Sequence, residues 1–263
     1  TPRKEQQECI DAMSEYFDNN PNGRFLLNCK MRFGKSFTTY KYCEDHNLER
    51  ILILTFIPAV ESSWREDLRH IKKNYRYFTD DNLRRSDFML SFIQDPYVLF
   101  LSLQNYLGKE KNADVKTKIQ QLQNIDWDLV ILDEYHFGAW NQRTQGTLKV
   151  KEEKSEDLDS NYQEQLKKTG DIIQKFNIKT KQTICLSGTP FKALARGEFT
   201  GKSSFTYSYF DEQRNKYPNS DKDDFSVVNP SYAAFPDMKI FGYNMSRLFG
   251  NLTASVFSED RLL

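Results

Sequence analysis

The chain has 263 residues, 38% of them hydrophobic and 14% aromatic, enough for one large domain or two small ones around a sizeable core. Lys+Arg 37 balance Asp+Glu 37, so no global field draws in nucleic acid, and any such binding must come from a local patch. The four cysteines, Cys9, Cys29, Cys43 and Cys185, form no C-x-x-C pair and only three histidines are present; this argues against a zinc cluster or a disulfide framework and points to a reducing, cytoplasmic setting.

The first element is "KEQQECIDAMSEYF", residues 4–17, whose apolar residues Cys9, Ile10, Met13, Tyr16 and Phe17 fall at helical spacing. "NNPNG" ends it. "RFLLNC" (24–29) reads as a buried strand, "KMRFGK" as a loop and "SFTTYKYCEDH" as a helix. "ILILTF" (51–56) is a second strand, and "PAVESSWREDLRHI" a helix with Pro58 in its first turn. "YVLFLSL" (97–103), "DLVILDE" (128–134) and "QTICLSG" (182–188) are three further strands. Unbroken apolar strands alternating with helices imply an α/β fold with a mainly parallel sheet covered on both faces. Residues 141 to about 181 are rich in Lys, Glu, Asp and Gln and read as a solvated, charged insertion. Beyond Phe191 the pattern loosens into "FTYSYFDEQRNKY" and a last strand-like run, "DMKIFGYNM". No apolar run reaches spanning length and no signal peptide is evident, so no membrane partner is expected. The chain starts without Met and stops at "SEDRLL", which reads as a fragment with a downstream part missing.

Three strand ends carry chemistry. "CKMRFGKS" lies between a strand and a helix, the context of a phosphate-binding loop. Helix N-terminal N–H groups, with Arg32 and Phe33 in the loop, would face the phosphates. Gly34 permits close backbone approach. Lys35 would reach the terminal phosphates and Ser36 would ligate Mg²⁺. A surface turn with a lysine is the alternative. In "VILDEYHFG", Asp133 and Glu134 stand at a strand's carboxyl end, where open α/β sheets bind ligands. Two adjacent carboxylates there call for a cation or a proton. Asp133 suits a hold on Mg²⁺ and Glu134 a general base for an attacking water; a helix N-cap pair is the alternative. His136 gains interest from the D-E-x-H arrangement. In "LSGTPF", Ser187 and Thr189 could hydrogen-bond toward Glu134 or His136, or simply leave the strand in a turn.

Together these segments resemble the superfamily 2 helicases and translocases. "CKMRFGKS" is similar to their motif I, "LDEYH" to the DExH form of motif II and "LSGTP" to motif III, in that order. "LTFIPAVESSW" and "FLSLQNY" resemble motifs Ia and Ib, and "TPRKEQQECI" the segment preceding motif I. Within that superfamily, "MRFGKS" and "SGTPF" followed by "YSYFDEQ" resemble the motor subunits of type I and type III restriction enzymes and their phage or plasmid relatives, which often carry an aromatic-rich D/E-x-Q helix after motif III.

The resemblance implies a RecA-like lobe at 1–190 that binds ATP and Mg²⁺, with 191–263 leading toward a second RecA-like lobe. It implies adenine contacts by Arg3 and Gln6, and catalytic roles for Lys35, Asp133, Glu134 and His136. DNA-backbone contacts map to Thr55, Pro58, Ser102 and Gln104; such contacts position the protein without reading sequence. Nuclease, methyltransferase or specificity modules would be further partners. The departures are Cys29, where the loop's small first residue belongs, and Arg32, at a place often held by Gly. Arg65, Arg69, Lys72, Lys73 and Arg76 read either as a DNA patch or as a solvated helix face interleaved with Glu66 and Asp67. An ATP-gated binding module that never cycles, or another P-loop enzyme such as a kinase, are the competing functions; the strand-end D-E-x-H followed by S-G-T-P argues against the kinase.

Overall fold

The computed structural model describes residues 1–84, 88–107, 109, 111–135, 172–188, 197–219 and 225–237. Two compact units divide the chain, Thr1–Ser208 and Tyr209–Leu263.

The first unit is built on a seven-stranded sheet with the order β3-β4-β2-β6-β8-β1-β9. The strands are β1 (Arg24–Cys29), β2 (Arg50–Thr55), β3 (Arg76–Thr79), β4 (Tyr97–Ser102), β6 (Leu129–Leu132), β8 (Thr183–Ser187) and β9 (Ser204–Tyr207). Every pairing is parallel. A two-residue pair, β5 (Asp126–Trp127) with β7 (Lys179–Thr180), lies outside this sheet. The α/β class with a parallel, doubly covered sheet is therefore as expected, and β9 carries the sheet past residue 190.

The apolar runs explain the layering. Successive strand residues point to opposite faces, so each buried run feeds two cores. Phe25, Leu27, Ile51, Ile53, Ile131 and Ile184 pack on one face under α1 (Lys4–Asn19), α2 (Lys35–Asp45) and α3 (Glu61–Leu68). Leu26, Leu52, Leu54, Leu101, Leu132 and Cys185 pack on the other, with Val115, Ile119 and Leu122 of α5 (Ala113–Gln123). Cys9, Ile10, Met13 and Phe17 form the buried stripe of α1. Asn112 starts α5 by accepting from the Asp114 and Val115 amides at 2.9 and 3.4 Å.

The helix expected to run on from Pro58 is shorter and divided. A 3-10 turn, Pro58–Val60, precedes α3, which ends at Leu68. A single turn, α4 (Asp80–Leu83), follows β3. Most of the charged insertion lies outside the described residues, as does nearly all of the run 237–245. Among the described residues no helix is long and apolar enough to cross a membrane. The second unit contains the helix Tyr209–Lys216, which carries the D/E-x-Q segment, and Lys216 Nζ donates to the Phe235 carbonyl and to Asp237 Oδ1, both at 2.6 Å.

Candidate nucleotide site

The site begins where β1 ends. Cys29 is fully buried in the core beside Cys9, so a small apolar side chain suits the loop's first position. The Lys30 amide then donates to the Tyr207 carbonyl at 2.9 Å, prolonging the β1–β9 ladder. Two residues turn the chain through left-handed backbone: Arg32 at φ 64° and Gly34 at φ 86°. That region is strained for a residue with a Cβ and free for glycine. The place where a glycine is more usual thus does adopt glycine-like geometry, and Arg32 bears the strain. At Gly34 a Cβ would lie 2.7 Å from Gln6 Nε2, so bulk is excluded as well.

Arg3 and Gln6 serve this loop. Arg3 Nη2 and Gln6 Nε2 both donate to the Phe33 carbonyl, at 2.7 and 2.8 Å, and Gln6 Oε1 accepts from the Arg3 amide at 2.9 Å. The Phe33 ring is core, packed against Phe205 and Tyr207 with centroids 6.2 and 5.2 Å away, which leaves its backbone to the loop. Lys35 opens α2, and its Nζ donates to the Cys29 carbonyl at 3.1 Å across the loop. Ser36 Oγ donates to the Asp67 carboxylate on α3. Thr38 and Thr39 turn their hydroxyls back to the carbonyls of Gly34 and Lys35, at 2.9 and 2.8 Å.

The acidic pair follows the end of β6, which β8 separates from β1. The Asp133 amide donates to the Leu54 carbonyl at 2.9 Å and the Tyr135 amide to the Leu186 carbonyl at 2.6 Å, pinning the segment between β2 and β8. Asp133 is only 6% exposed. Its Oδ2 accepts from Trp64 Nε1 at 2.7 Å and its Oδ1 from the Glu134 amide at 2.9 Å. Burial pushes the Asp133 carboxyl above the ordinary carboxylate range and the Glu134 charge adds to this; the Trp64 hydrogen bond and Lys35 oppose it. A carboxylate in that condition favours a bound cation. Glu134 also has left-handed backbone, φ 54°.

Arg32, Gly34, Lys35, Ser36, Trp64, Asp133 and Glu134 line one cavity of about 280 Å³. Two stretches a hundred residues apart in sequence thus meet at one place. The donor set fits a magnesium–polyphosphate group: a cation, the amide end of a helix, a hydroxyl and a buried carboxylate. Ser187 is fully buried at the end of β8; His136 and Thr189 lie outside the described residues.

The residues expected to meet DNA divide. Thr55 and Ser102 are register partners at the ends of β2 and β4, and both are buried. Thr55 Oγ1 accepts from the Ile57 amide at 3.1 Å. Pro58 and Gln104 are exposed, and Gln104 Nε2 donates to the Phe56 carbonyl at 2.6 Å, tying the two loops together. Along α3, Arg65 pairs with Glu61 at 2.8 Å and Arg69 with Glu66 at 2.7 Å. Both arginines thus have an acidic partner on the helix surface. Trp64 and Asp67 were invisible as site residues in the sequence; their one signal was a spacing of three, which sets both on one side of a helix.

Residues 1–192 match the family model described as type III restriction enzyme, res subunit. The chain belongs to that family. Its likeness to a Mycoplasma pneumoniae protein, named as the C-terminus of a type II restriction enzyme and methyltransferase, RM.MpnORF110P, is 45% identity over 98% of this chain. The chain spans 37% of that relative's length. Among solved structures, a Sulfolobus solfataricus SWI2/SNF2 ATPase core in complex with dsDNA aligns at 17% identity and TM-score 0.45, over 85% of this chain and 40% of that one. A nuclease-deletion mutant of the type ISP restriction-modification enzyme LlaGI with a DNA substrate mimic aligns at 13% identity and TM-score 0.44, over 97% and 24%.

Proposed function

We propose that this chain is the ATP-binding lobe of a restriction-type DNA translocase or helicase. The observation that carries the proposal is the convergence of Lys35, Ser36, Asp133 and Glu134 on one cavity. Membership of the res subunit family supports it.

In this reading, Lys35 leaves the Cys29 carbonyl and sets its charge against the terminal phosphates. The amides of the first turn of α2 hold the phosphate oxygens. Ser36 and Asp133 would hold a magnesium ion, and such an ion would supply positive charge beside the phosphates. Glu134 orients a water and accepts its proton. Arg3 and Gln6 keep the loop in register through the Phe33 carbonyl and stand ready for the adenine. His136, Ser187 and Thr189 complete the coupling between acidic pair and strand end. DNA lies across the loops that bear Pro58 and Gln104, held by its backbone. Arginines of a second lobe supply the remaining positive charge, and a methyltransferase or nuclease module accompanies the motor, in keeping with the name of the Mycoplasma relative.

Calorimetric titration of Mg²⁺–ATP into the chain tests this, wild type beside Lys35→Ala, with and without duplex DNA. Binding that the variant loses, and that DNA modulates, is expected. Equal binding by both proteins would remove the phosphate role of the loop. ATP binding indifferent to DNA would favour a nucleotide-gated module over a motor.

A further inference from the structure

We infer that α3 positions the metal side of this site through Trp64 and Asp67, an inference that rests on the nucleotide reading above. The two residues stand three apart on one face of α3. Trp64 Nε1 donates to Asp133 Oδ2 at 2.7 Å, and the Asp67 carboxylate accepts from Ser36 Oγ. Ser36 and Asp133 are the two side chains assigned to the metal. One helix therefore grips both, from outside the loop and outside the acidic motif.

The chemistry explains why each contact matters. A hydroxyl that gives a lone pair to a divalent cation keeps its proton, and that proton needs an acceptor. Asp67 is the acceptor, so Asp133 need not be, and its oxygens would stay available to a cation. Among the described residues Asp133 has one donor on each oxygen, Trp64 on Oδ2 and the Glu134 amide on Oδ1. Two donors fix the plane of a carboxylate and leave a lone pair on each oxygen. The Trp64 indole is itself held: it is 2% exposed and meets the Tyr40 ring edge-on, centroids 5.2 Å apart and planes at 88°. Packing therefore helps to fix the direction of its N–H. Partners that orient metal ligands in this way contribute about 10- to 100-fold in metal affinity or activity.

The experiment is calorimetric titration of ATP into the chain, once in EDTA and once in Mg²⁺, for wild type, Lys35→Ala, Asp67→Ala, Asp67→Asn and Trp64→Phe. Thermal melts run alongside. We expect Asp67→Ala to bind metal-free ATP as wild type does while the strengthening by Mg²⁺ falls about 10-fold or more, and Trp64→Phe to lose a comparable share of that strengthening. Asp67→Asn keeps an acceptor oxygen and should retain most of that strengthening. A purely structural role would weaken both titrations together, and that result would overturn the inference. So would full Mg²⁺ strengthening in Asp67→Ala. If Trp64→Phe fails to fold, the two Asp67 variants decide. A wild type that binds no ATP in either buffer, like Lys35→Ala, would overturn the nucleotide reading and this inference with it. Mg²⁺-strengthened binding that Asp67→Ala leaves intact overturns this inference alone.

Discussion

Gly34 shows how narrowly one position can be specified. Its φ of 86° disfavours any side chain, and a Cβ would sit 2.7 Å from Gln6 Nε2. Gln6 would have to leave the Phe33 carbonyl, which then loses one of its two donors. Gly34→Ala should therefore destabilise the chain by about 1–3 kcal/mol, combining backbone strain with a lost buried hydrogen bond. Urea unfolding checks this, and an unchanged midpoint would show that the loop relaxes without loss. Arg32 bears similar backbone geometry without glycine's freedom, and its side chain lines the cavity. That such a residue keeps a costly conformation at the mouth of the site fits the pattern of strain collecting where ligands bind.

Between elements, the clearest test lies at Asp80, the first residue of α4. It is 8% exposed and accepts from Tyr106 Oη at 2.5 Å and Lys118 Nζ at 3.0 Å, with Arg84 Nη2 at 3.0 Å. It joins α4, the turn after β4, and α5. Burial alone would raise its carboxyl, but the Tyr106 and Lys118 hydrogen bonds and the charges of Lys118 and Arg84 outweigh burial and hold it below the ordinary value. A folded value below the unfolded one, about 3.9, means the contribution is complete above that pH and is lost as pH falls through the folded value. Asp80→Asn leaves the buried Lys118 without its counter-charge, which costs about 3 kcal/mol near neutral pH. The gap between variant and wild type in urea unfolding should narrow as pH drops below about 4. A gap that is constant with pH would show that the charge is not what holds these elements together.

For the whole molecule, the arrangement of charges sets what the isolated chain can do. The described cations lining the cavity are Arg32 and Lys35. Arginines delivered from a partner domain raise related phosphoryl transfers by about 10³-fold or more. The 263-residue chain should therefore bind ATP yet hydrolyse it slowly, with or without duplex DNA, in a phosphate-release assay. Rapid DNA-stimulated turnover by the isolated chain would overturn the proposal that arginines from a second lobe complete the site. Any DNA binding should also weaken steeply with added salt, because contacts to phosphates release counterions and the net charge of the chain is zero. Affinity that is flat with salt would point to base contacts in place of backbone ones.

Much of this was legible in the chain itself. A parallel sheet covered on both faces demands strands that are apolar at every position, so β1, β2, β4, β6 and β8 announce themselves as unbroken runs. The loop and the acidic pair were readable because each lies within a few residues of a strand end, where backbone geometry is local. The strands β3 and β9 were not: each is four residues long, lies at a sheet edge and is only partly buried, so no apolar run marks it. Nor could sequence foretell that Arg3 and Gln6 would grip the Phe33 carbonyl, that Thr55 and Ser102 would be buried face to face, or that Trp64 and Asp67 would hold Asp133 and Ser36. Local periodicity and turn chemistry are written in neighbouring residues, and these determined the elements and the motifs at their ends. Which side chain meets which across helices and strands far apart in the chain depends on how those elements pack, and only the tertiary structure decided it.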